Sequence, residues 1–129
     1  MKIELFTLCD GAYNYNGKLT VVGALTTLNP EAIPCRIKLG LAMRIQVDSK
    51  DEGEKVMTVS FMNPDGDKLP VDLTVNLDVK PASEPVSYIT FAAELQGFPL
   101  EQEGSHRVLI AIDGEPMATY SYNVKKRME

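Results

Sequence analysis

Histidine and cysteine are scarce in this sequence. Its 129 residues include one histidine, His106, and two cysteines, Cys9 and Cys35. A structural zinc site uses four such ligands at paired spacings, which these three residues lack. A thiol nucleophile needs a base within hydrogen-bonding distance, and His106 could serve only if the first and seventh strands were neighbours. Because His106 has the strand parity of Val108 and Ile110, we place it at the margin of the core.

Recognisable catalytic motifs are absent as well. The sequence has no nucleophile elbow, no phosphate-binding glycine loop and no dinucleotide fingerprint. Its carboxylates lie mostly in predicted loops, where water solvates them, rather than in pairs suited to acid–base catalysis. We therefore predict that the protein is not an enzyme, with no catalytic residue and no cofactor.

Long apolar runs are also missing. No run approaches the roughly 20 residues that a membrane-spanning helix needs. The N-terminal segment is apolar, but Glu4 interrupts it, and Asp10 follows Cys9 where a signal peptide would carry small residues. Leu8 is too bulky for the position before a lipoprotein cysteine. We interpret residues 2–9 as a strand and expect a cytoplasmic protein with reduced thiols, although a single disulfide stays open.

Positive charge is limited. The chain has 13 basic and 18 acidic residues, a net charge of −5, which argues against a broad electrostatic contact with nucleic acid or an anionic membrane. The one basic run, Lys125-Lys126-Arg127, is expected to be a solvated tail. The length fits a single domain spanning residues 1–129.

Alternation of apolar and polar residues dominates what is present. Residues 37–47 carry six apolar side chains at every second position, and residues 71–79 repeat the pattern. Successive side chains of a strand point to opposite faces, so each stretch predicts a half-buried strand. Shorter alternations occur around Leu19–Leu25, Met57–Phe61, Ile89–Leu95, Val108–Ile112 and Ala118–Val124, separated by turn signals and by a predicted loop at residues 81–85.

These patterns predict an all-β fold of about eight strands, an antiparallel sandwich of two sheets. The residues expected in its core are Leu39, Leu41, Met43, Ile45, Leu73, Val75, Leu77, Phe91, Val108, Ile110 and Tyr120. For the last hairpin we predict a three-residue loop, Ile112-Asp113-Gly114, because it gathers the apolar groups of both strands on one face.

Several short motifs mark turns and strand ends of this sequence: Leu8-Cys9-Asp10, Gly17-Lys18-Leu19, Val22-Gly23, Pro64-Asp65-Gly66, Gly104 and Asp113-Gly114. Together they resemble those of an uncharacterised bacterial family of small β-sandwich proteins. The resemblance covers most of the chain and implies an immunoglobulin-like sandwich. It implies no activity, and no catalytic residue can be transferred. Tyr13-Asn14-Tyr15 departs from the family pattern.

Oxygen ligands alternate at Asn63, Asp65 and Asp67, a spacing that calcium sites use. The same residues surround a Pro-Asp-Gly turn, which explains them without a metal. We favour the turn and predict that no divalent metal contributes to stability.

Tyr13, Asn14 and Tyr15 are the candidate binding residues, in a predicted loop that ends at Asn16-Gly17. Two aromatic rings there could cover the end of the core, stack on a sugar or anchor a protein partner. Our leading hypothesis is a non-enzymatic interaction or assembly module with an unidentified protein partner, in which a homo-oligomer is possible. The alternative is a small-ligand or carbohydrate-binding module that uses Tyr13 and Tyr15.

Overall fold

A computed structural model describes residues 1–80 and 86–128. Nine strands account for most of them: β1 (Lys2–Tyr15), β2 (Lys18–Leu25), β3 (Thr27–Leu28), β4 (Cys35–Asp48), β5 (Gly53–Met62), β6 (Lys68–Val79), β7 (Val86–Leu100), β8 (Gly104–Ile112) and β9 (Glu115–Val124). A short 3-10 turn, Ser49–Asp51, follows β4. The loop predicted at residues 81–85 lies outside the described residues.

The strands form two sheets. The first sheet has the order β2-β1-β4-β7, and the second has the order β3-β9-β8-β5-β6. The all-β, two-sheet prediction is confirmed, with two corrections: the described residues form nine strands where about eight were predicted, and β3 pairs with β9 in parallel. With only two residues, β3 is too short for its alternation to be visible in the sequence.

The two sheets share one buried core. Leu39, Leu41, Met43, Ile45 and Val47 of β4 are all buried, as their alternation predicted, in one cluster with residues of the second sheet. Aromatic pairs join the sheets directly. Phe6 of β1 stacks on Tyr120 of β9 with ring centroids 4.4 Å apart, and Phe61 of β5 meets Phe98 of β7 edge to face at 4.9 Å.

Seven of the eleven predicted core residues are buried, and four are only half-buried: Leu73, Val75, Phe91 and Tyr120. The first three lie on β6 and β7, which are edge strands with a neighbour on one side only. Tyr120 borders a cavity of about 100 Å³ between β1 and β9, and Tyr122 takes the fully buried aromatic position instead.

The β8–β9 hairpin corrects the predicted loop length. Ile112 pairs with Glu115, so the loop has two residues, Asp113 and Gly114, with φ angles of 51° and 81°. Positive φ at both positions is the geometry of a type I′ turn, which follows the twist of the strands. The three-residue loop was therefore wrong.

The apolar rows of β8 and β9 nevertheless share a face, as that prediction required. The register shifts next to Ile110, which pairs with Ala118 rather than Met117, so Met117 is an extra residue in β9. A bulge of one residue reverses the parity of a strand. Pro116 lies beside this bulge, where its missing N–H is tolerated.

The C-terminal basic run was predicted to be a solvated tail, and its side chains are exposed, but its backbone is bonded to the segment after β3. The Lys125 N–H donates to the Leu28 carbonyl at 2.9 Å, and the Arg127 N–H donates to the Pro30 carbonyl at 2.8 Å. Arg127 also pairs with Glu31 at 3.0 Å. The backbone thus continues along the segment after β3, while the three basic side chains remain exposed. Among the described residues, no helix is long and apolar enough to cross a membrane.

Candidate functional site

The candidate residues lie on a hairpin that extends beyond the first sheet. β1 pairs with β4 only as far as Cys9, opposite Gly40, but it pairs with β2 as far as Tyr15, opposite Lys18. We call residues 10–23 the arm. Asn16 and Gly17, with φ angles of 51° and 73°, form its two-residue turn. Tyr13, Asn14 and Tyr15 are therefore strand residues, and the loop predicted for them was wrong.

The arm folds over the outer face of the first sheet, the face turned away from the second sheet. The Gly11 Cα lies 3.2 Å from the position that a Cβ on Gly40 would occupy. Cα atoms of β1 and β7 approach within 8 Å although β4 lies between them. In a flat sheet, alternate strands are roughly 10 Å apart. The Asn14 side-chain amide also donates to the Thr90 carbonyl at 3.4 Å, so the arm reaches β7.

Small residues on the outer face make room for the arm. Gly40 and Ala42 are buried although they alternate with the core residues of β4. The Cys9 Sγ and carbonyl oxygen lie 2.9 and 3.0 Å from a Cβ position on Gly40, so no larger residue fits without a shift. These two small residues, between the charged Lys38 and Arg44, were the sequence signal for a covered outer face.

The bend at the base of the arm involves Gly23 and Asp10. Gly23 has a φ of +66°, a conformation that L side chains rarely adopt. A Cβ at Gly23 would overlap the Asp10 carboxylate, whose Cγ lies 2.7 Å from that position. This contact joins two of the motifs that carry the family resemblance, because the aspartate needs a glycine opposite it.

Two tyrosines dominate the exposed face of the arm. Tyr13 and Tyr15 are 61% and 71% exposed, so the interpretation that they cover the core was wrong. They share this face with Val22, which is 54% exposed, and with Thr20 and Lys18, their direct partners in β2. Leu19 and Val21, on the opposite side of β2, are half-buried.

Tyr13 is also partly fixed by its neighbours. Its ring leans back across Gly11, with the hydroxyl oxygen 3.5 Å from a Cβ position there. Beside it, the Lys38 Nζ lies 2.7 Å from the Glu94 carboxylate, and this hydrogen bond raises the pKa of Lys38. The negative charge of Glu94 and, more weakly, Tyr13 add to that rise. The tyrosine face thus lies beside an ion pair that links β4 and β7.

The two cysteines are free and far apart. Cys9 of β1 lies opposite Gly40 of β4, and Cys35 is also in β4, five residues before Gly40. At the rise of a strand this separation is about 16 Å, well beyond the reach of a disulfide. Cys9 is buried beneath the arm, and burial raises the pKa of its thiol.

His106 lies in the core rather than at its margin, which corrects the prediction. It is buried, its Nδ1 lies 3.0 Å from the Gly104 carbonyl, and its ring stacks on Tyr122 with centroids 5.1 Å apart. Cys9 lies on the outer face of the first sheet, whereas His106 faces the core from the second sheet. The thiol and the imidazole therefore do not form a pair.

The Asn63–Asp67 segment is a turn closed by its own side chains. The Asn63 Oδ1 accepts hydrogen bonds from the N–H groups of Asp65 and Asp67, both at 2.9 Å. Asp65 in turn accepts a hydrogen bond from Gln102 at 3.1 Å. Within residues 1–80 and 86–128, no three His, Cys, Asp or Glu side chains are grouped as metal ligands.

The sequence model of a protein family matches residues 4–125, and this family is described as "Family of unknown function (DUF6941)". The chain belongs to DUF6941. The match covers both sheets and the whole arm, so the family resemblance that the short motifs indicated is confirmed. A search of curated proteins finds no significant match to this DUF6941 chain.

Solved structures resemble the chain in fold. The alkylpurine DNA glycosylase AlkC of Pseudomonas fluorescens, bound to DNA with an abasic site analogue, matches with a TM-score of 0.57 and 10% identity over 96% of this chain. The β-glucosidase of Listeria innocua in complex with glucose matches with a TM-score of 0.54 and 16% identity over 94%. This chain spans 30% of the glycosylase and 16% of the glucosidase. These identities show a shared fold alone.

An immunoglobulin-like protein from Pseudomonas aeruginosa also resembles the chain. The likeness covers 96% of this chain and 95% of that protein, with 14% identity and a TM-score of 0.41. That score is too low to support an argument about fold or function.

Proposed function

We propose that the two sheets form an immunoglobulin-like β-sandwich, and that this sandwich is a non-enzymatic module which binds a protein partner through the exposed face of the arm. The supporting observation for the fold is the single core shared by both sheets, with aromatic contacts between β1 and β9 and between β5 and β7. Two sheets packed face to face over one core are the definition of a sandwich.

The exposed tyrosines of the arm carry the proposed function. Tyr13 and Tyr15 present large apolar rings with polar hydroxyls to solvent from one face of a hairpin. Tyrosine is enriched at protein interfaces because it contributes a large contact area and a hydrogen bond at a low cost in conformational entropy. Val22 adds apolar area, while Lys18 and Thr20 supply a polar rim.

The backbone beneath these rings is held in place, which favours binding. The small residues Gly40 and Ala42 let the arm lie flat, and the Asn14 amide links it to Thr90 of β7. A partner therefore meets a surface that is already ordered. A preorganised surface binds more tightly because less conformational entropy is lost on association.

The positions of the reactive groups support a role without catalysis. His106 is enclosed in the core, and the Cys9 thiol is buried beneath the arm. Among the residues that the structure describes, neither group has the partner that nucleophilic catalysis needs. The two free thiols are compatible with a reducing compartment, and a cytoplasmic location is part of this proposal.

Crosslinking in the native cell identifies the partner. A photo-crosslinking amino acid at position 15 is expected to capture one protein other than this chain, and the same amino acid at position 88 is not expected to capture that protein. Tyr88 is the matched control because it is an exposed tyrosine of the first sheet outside the arm.

Affinity for the captured and purified partner then tests the surface. The double variant Tyr13→Ser/Tyr15→Ser is expected to weaken binding by roughly 30-fold or more, the scale of a hot spot. Tyr88→Ser should leave the affinity within a factor of about three, the range of peripheral contacts. Equal effects of the two changes would contradict the proposal.

A carbohydrate ligand is the second candidate, favoured by the spacing of the rings. Side chains two residues apart on a strand are roughly 7 Å apart on one face, which is a platform on which a saccharide can stack. A glycan array with the purified protein separates the two candidates. Reproducible binding that Tyr13→Ala abolishes would establish the carbohydrate function, whereas the protein-binding proposal expects no such signal.

A further inference from the structure

The free edge of β7 differs from the other sheet edges of this protein. β3 is only two residues long, and β2 is interrupted at Gly23, whose φ is +66°. β6 carries Pro70 and the exposed Asp72 and Asp78. Short length, backbone irregularity, proline and charge are the devices by which proteins keep sheet edges from pairing with other strands.

β7 has none of these devices along residues 87–95. This stretch contains no proline, and its only charge is Glu94, which is already paired with Lys38 at 2.7 Å. Its pairing with β4 is regular up to Leu95, and the first irregularity is at Gly97, with a φ of +65°. Within the described residues, Asn14 is its only hydrogen-bond partner from outside β4, at Thr90. A carbonyl oxygen can accept two hydrogen bonds, so the described part of this edge remains open to another strand at Thr90 as well.

The apolar side chains along this edge are incompletely buried. Ile89, Phe91 and Ala93 point toward the core from β7 but are only half-buried, and so are Leu73 and Val75 of β6, the edge strand of the second sheet. The alternation of β6 and β7 is that of strands whose apolar face is fully covered. In the single chain, the apolar side chains at the edges of both sheets are therefore more exposed than the alternation of apolar and polar residues predicts.

We propose that two copies of this chain associate through β7, antiparallel about a two-fold axis at Phe91. Directly opposite residues of paired strands share a face, so this register keeps the apolar rows of both copies on the core side. Phe91 is the midpoint of residues 87–95, and this register therefore pairs the whole regular stretch. The two first sheets become one continuous sheet of eight strands.

The side chains are complementary in this register. Ile89 of one copy lies opposite the small Ala93 of the other, and the two Phe91 rings meet at the axis. On the outer face, Tyr88 lies opposite Glu94 of the second copy, so its hydroxyl can donate to the carboxylate. Pairing centred on Glu94 would instead set two like charges opposite each other, which destabilises a pair. A second copy thus fits the edge without a charge conflict.

The sign of a charge placed at Tyr88 tests both the interface and its register. Tyr88 is 54% exposed, and the Arg44 guanidinium lies 5.5 Å from the centre of its ring, so its replacement should cost the fold no more than about 1 kcal/mol. Sedimentation velocity over a wide range of protein concentrations should show a reversible dimer of the unaltered chain. Tyr88→Glu faces Glu94 twice per dimer and should weaken association roughly tenfold. Tyr88→Lys faces the same carboxylates and should keep or strengthen it.

Tyr15→Glu is the matched control, since it places the same charge at an exposed tyrosine outside β7. It should leave the dimer unchanged, and melting curves should show that all variants are folded at the temperature of the sedimentation experiment. A chain that stays monomeric at every concentration would overturn the proposal. Equal weakening by Tyr88→Glu and Tyr88→Lys, or equal weakening by Tyr15→Glu, would do so as well. None of these measurements depends on the partner proposed for the arm.

Discussion

Gly40 occupies the point of closest contact between the arm and the first sheet. Backbone atoms of Cys9 and Gly11 lie 3.0 and 3.2 Å from the position of a Cβ there. Neither atom can move aside as a flexible side chain would, because both belong to paired strands. A hydrogen in place of a methyl group at this one residue thus determines how closely the arm can approach.

Gly40→Ala is expected to destabilise the protein by about 1–3 kcal/mol, the usual cost of overpacking. Gly11→Ala is the control, because a Cβ at Gly11 would meet only the Tyr13 ring, at an ordinary 3.5 Å or more. Denaturant unfolding of both variants measures the difference. Equal stability of the two would mean that the arm does not lie on Gly40 in solution.

Asp51 closes the turn after β4 through its charge. Its Oδ2 accepts the Asp48 N–H at 3.0 Å, while the Asp48 side chain accepts the Lys50 N–H at 2.9 Å. The hydrogen bond from Asp48 is the main reason that the pKa of Asp51 is lowered, and the Met1 ammonium, 3.1 Å away, lowers it further. A depressed pKa in the folded state means that the carboxylate stabilises the fold when ionised.

Asp51→Ala should therefore cost roughly 0.5–2 kcal/mol at neutral pH, as the loss of a capping side chain does. The contribution is complete above the unfolded pKa of about 4 and is lost as the pH falls through the lower folded value. Unfolding measured at pH 7 and again below pH 3 should show the difference from the unaltered chain shrinking. Asp78→Ala, at an exposed residue of β6, is expected to show no such loss.

At the scale of elements, β4 joins the two halves of the first sheet. It lies between β1 and β7, and its alternate residues Leu39 to Val47 face the core. Its other face carries the buried Gly40 and Ala42 under the arm. Both faces of its middle are thus covered, so β4 tolerates change less than any edge strand.

Leu41, at the middle of β4, has no exposed surface. Leu41→Ala should cost roughly 2–5 kcal/mol, because it removes buried apolar surface and leaves a cavity. Leu5→Ala is the comparison: Leu5 is 37% exposed on the outer face of β1, and its truncation should cost less than about 1 kcal/mol. Thermal or denaturant unfolding reports both, and an unchanged midpoint for Leu41→Ala would contradict the assigned faces.

At the scale of the whole molecule, hydrogen bonds within the loops and from the loops to nearby strands hold the strand ends in place. The β5–β6 loop uses the Asn63 side chain to hold two backbone N–H groups, and it packs Pro64 near Gly104 of β8. The β8–β9 turn bonds to β5, because the Asp113 Oδ1 accepts the Val56 N–H at 2.8 Å. These contacts connect the ends of neighbouring strands without an external ligand.

We accordingly predict that calcium does not stabilise the protein. A ligand that binds only the folded state raises the melting temperature. Melting curves with calcium and with a chelator should coincide for the unaltered chain and for Asp65→Ala. A clear rise with calcium that Asp65→Ala removes would identify the Asn63–Asp67 segment as a metal site.

The sequence by itself determined most of the strands, though not β3 or the outer half of β1, and the side that the long strands turn to the core. A period of two is a local property, so residues 37–47 and 108–112 could be assigned to a buried face without their partners. The turn chemistry of Asn16-Gly17, Pro64-Asp65-Gly66 and Asp113-Gly114 was equally local, since those residues adopt the required φ angles on their own. The family resemblance followed from the same short motifs.

Only the tertiary structure decided which strands pair and what covers them. The bulge at Met117 was not predictable from local pattern. Burial of Tyr122 against Phe61 and His106 fixes which face of β9 turns to the core, whereas the two-residue turn alone would turn the other face inward. The sequence singled out Tyr13, Asn14 and Tyr15, but their setting depends on a bend at Gly23 and on room above Gly40. Such contacts join residues far apart in the chain, and no local pattern encodes them.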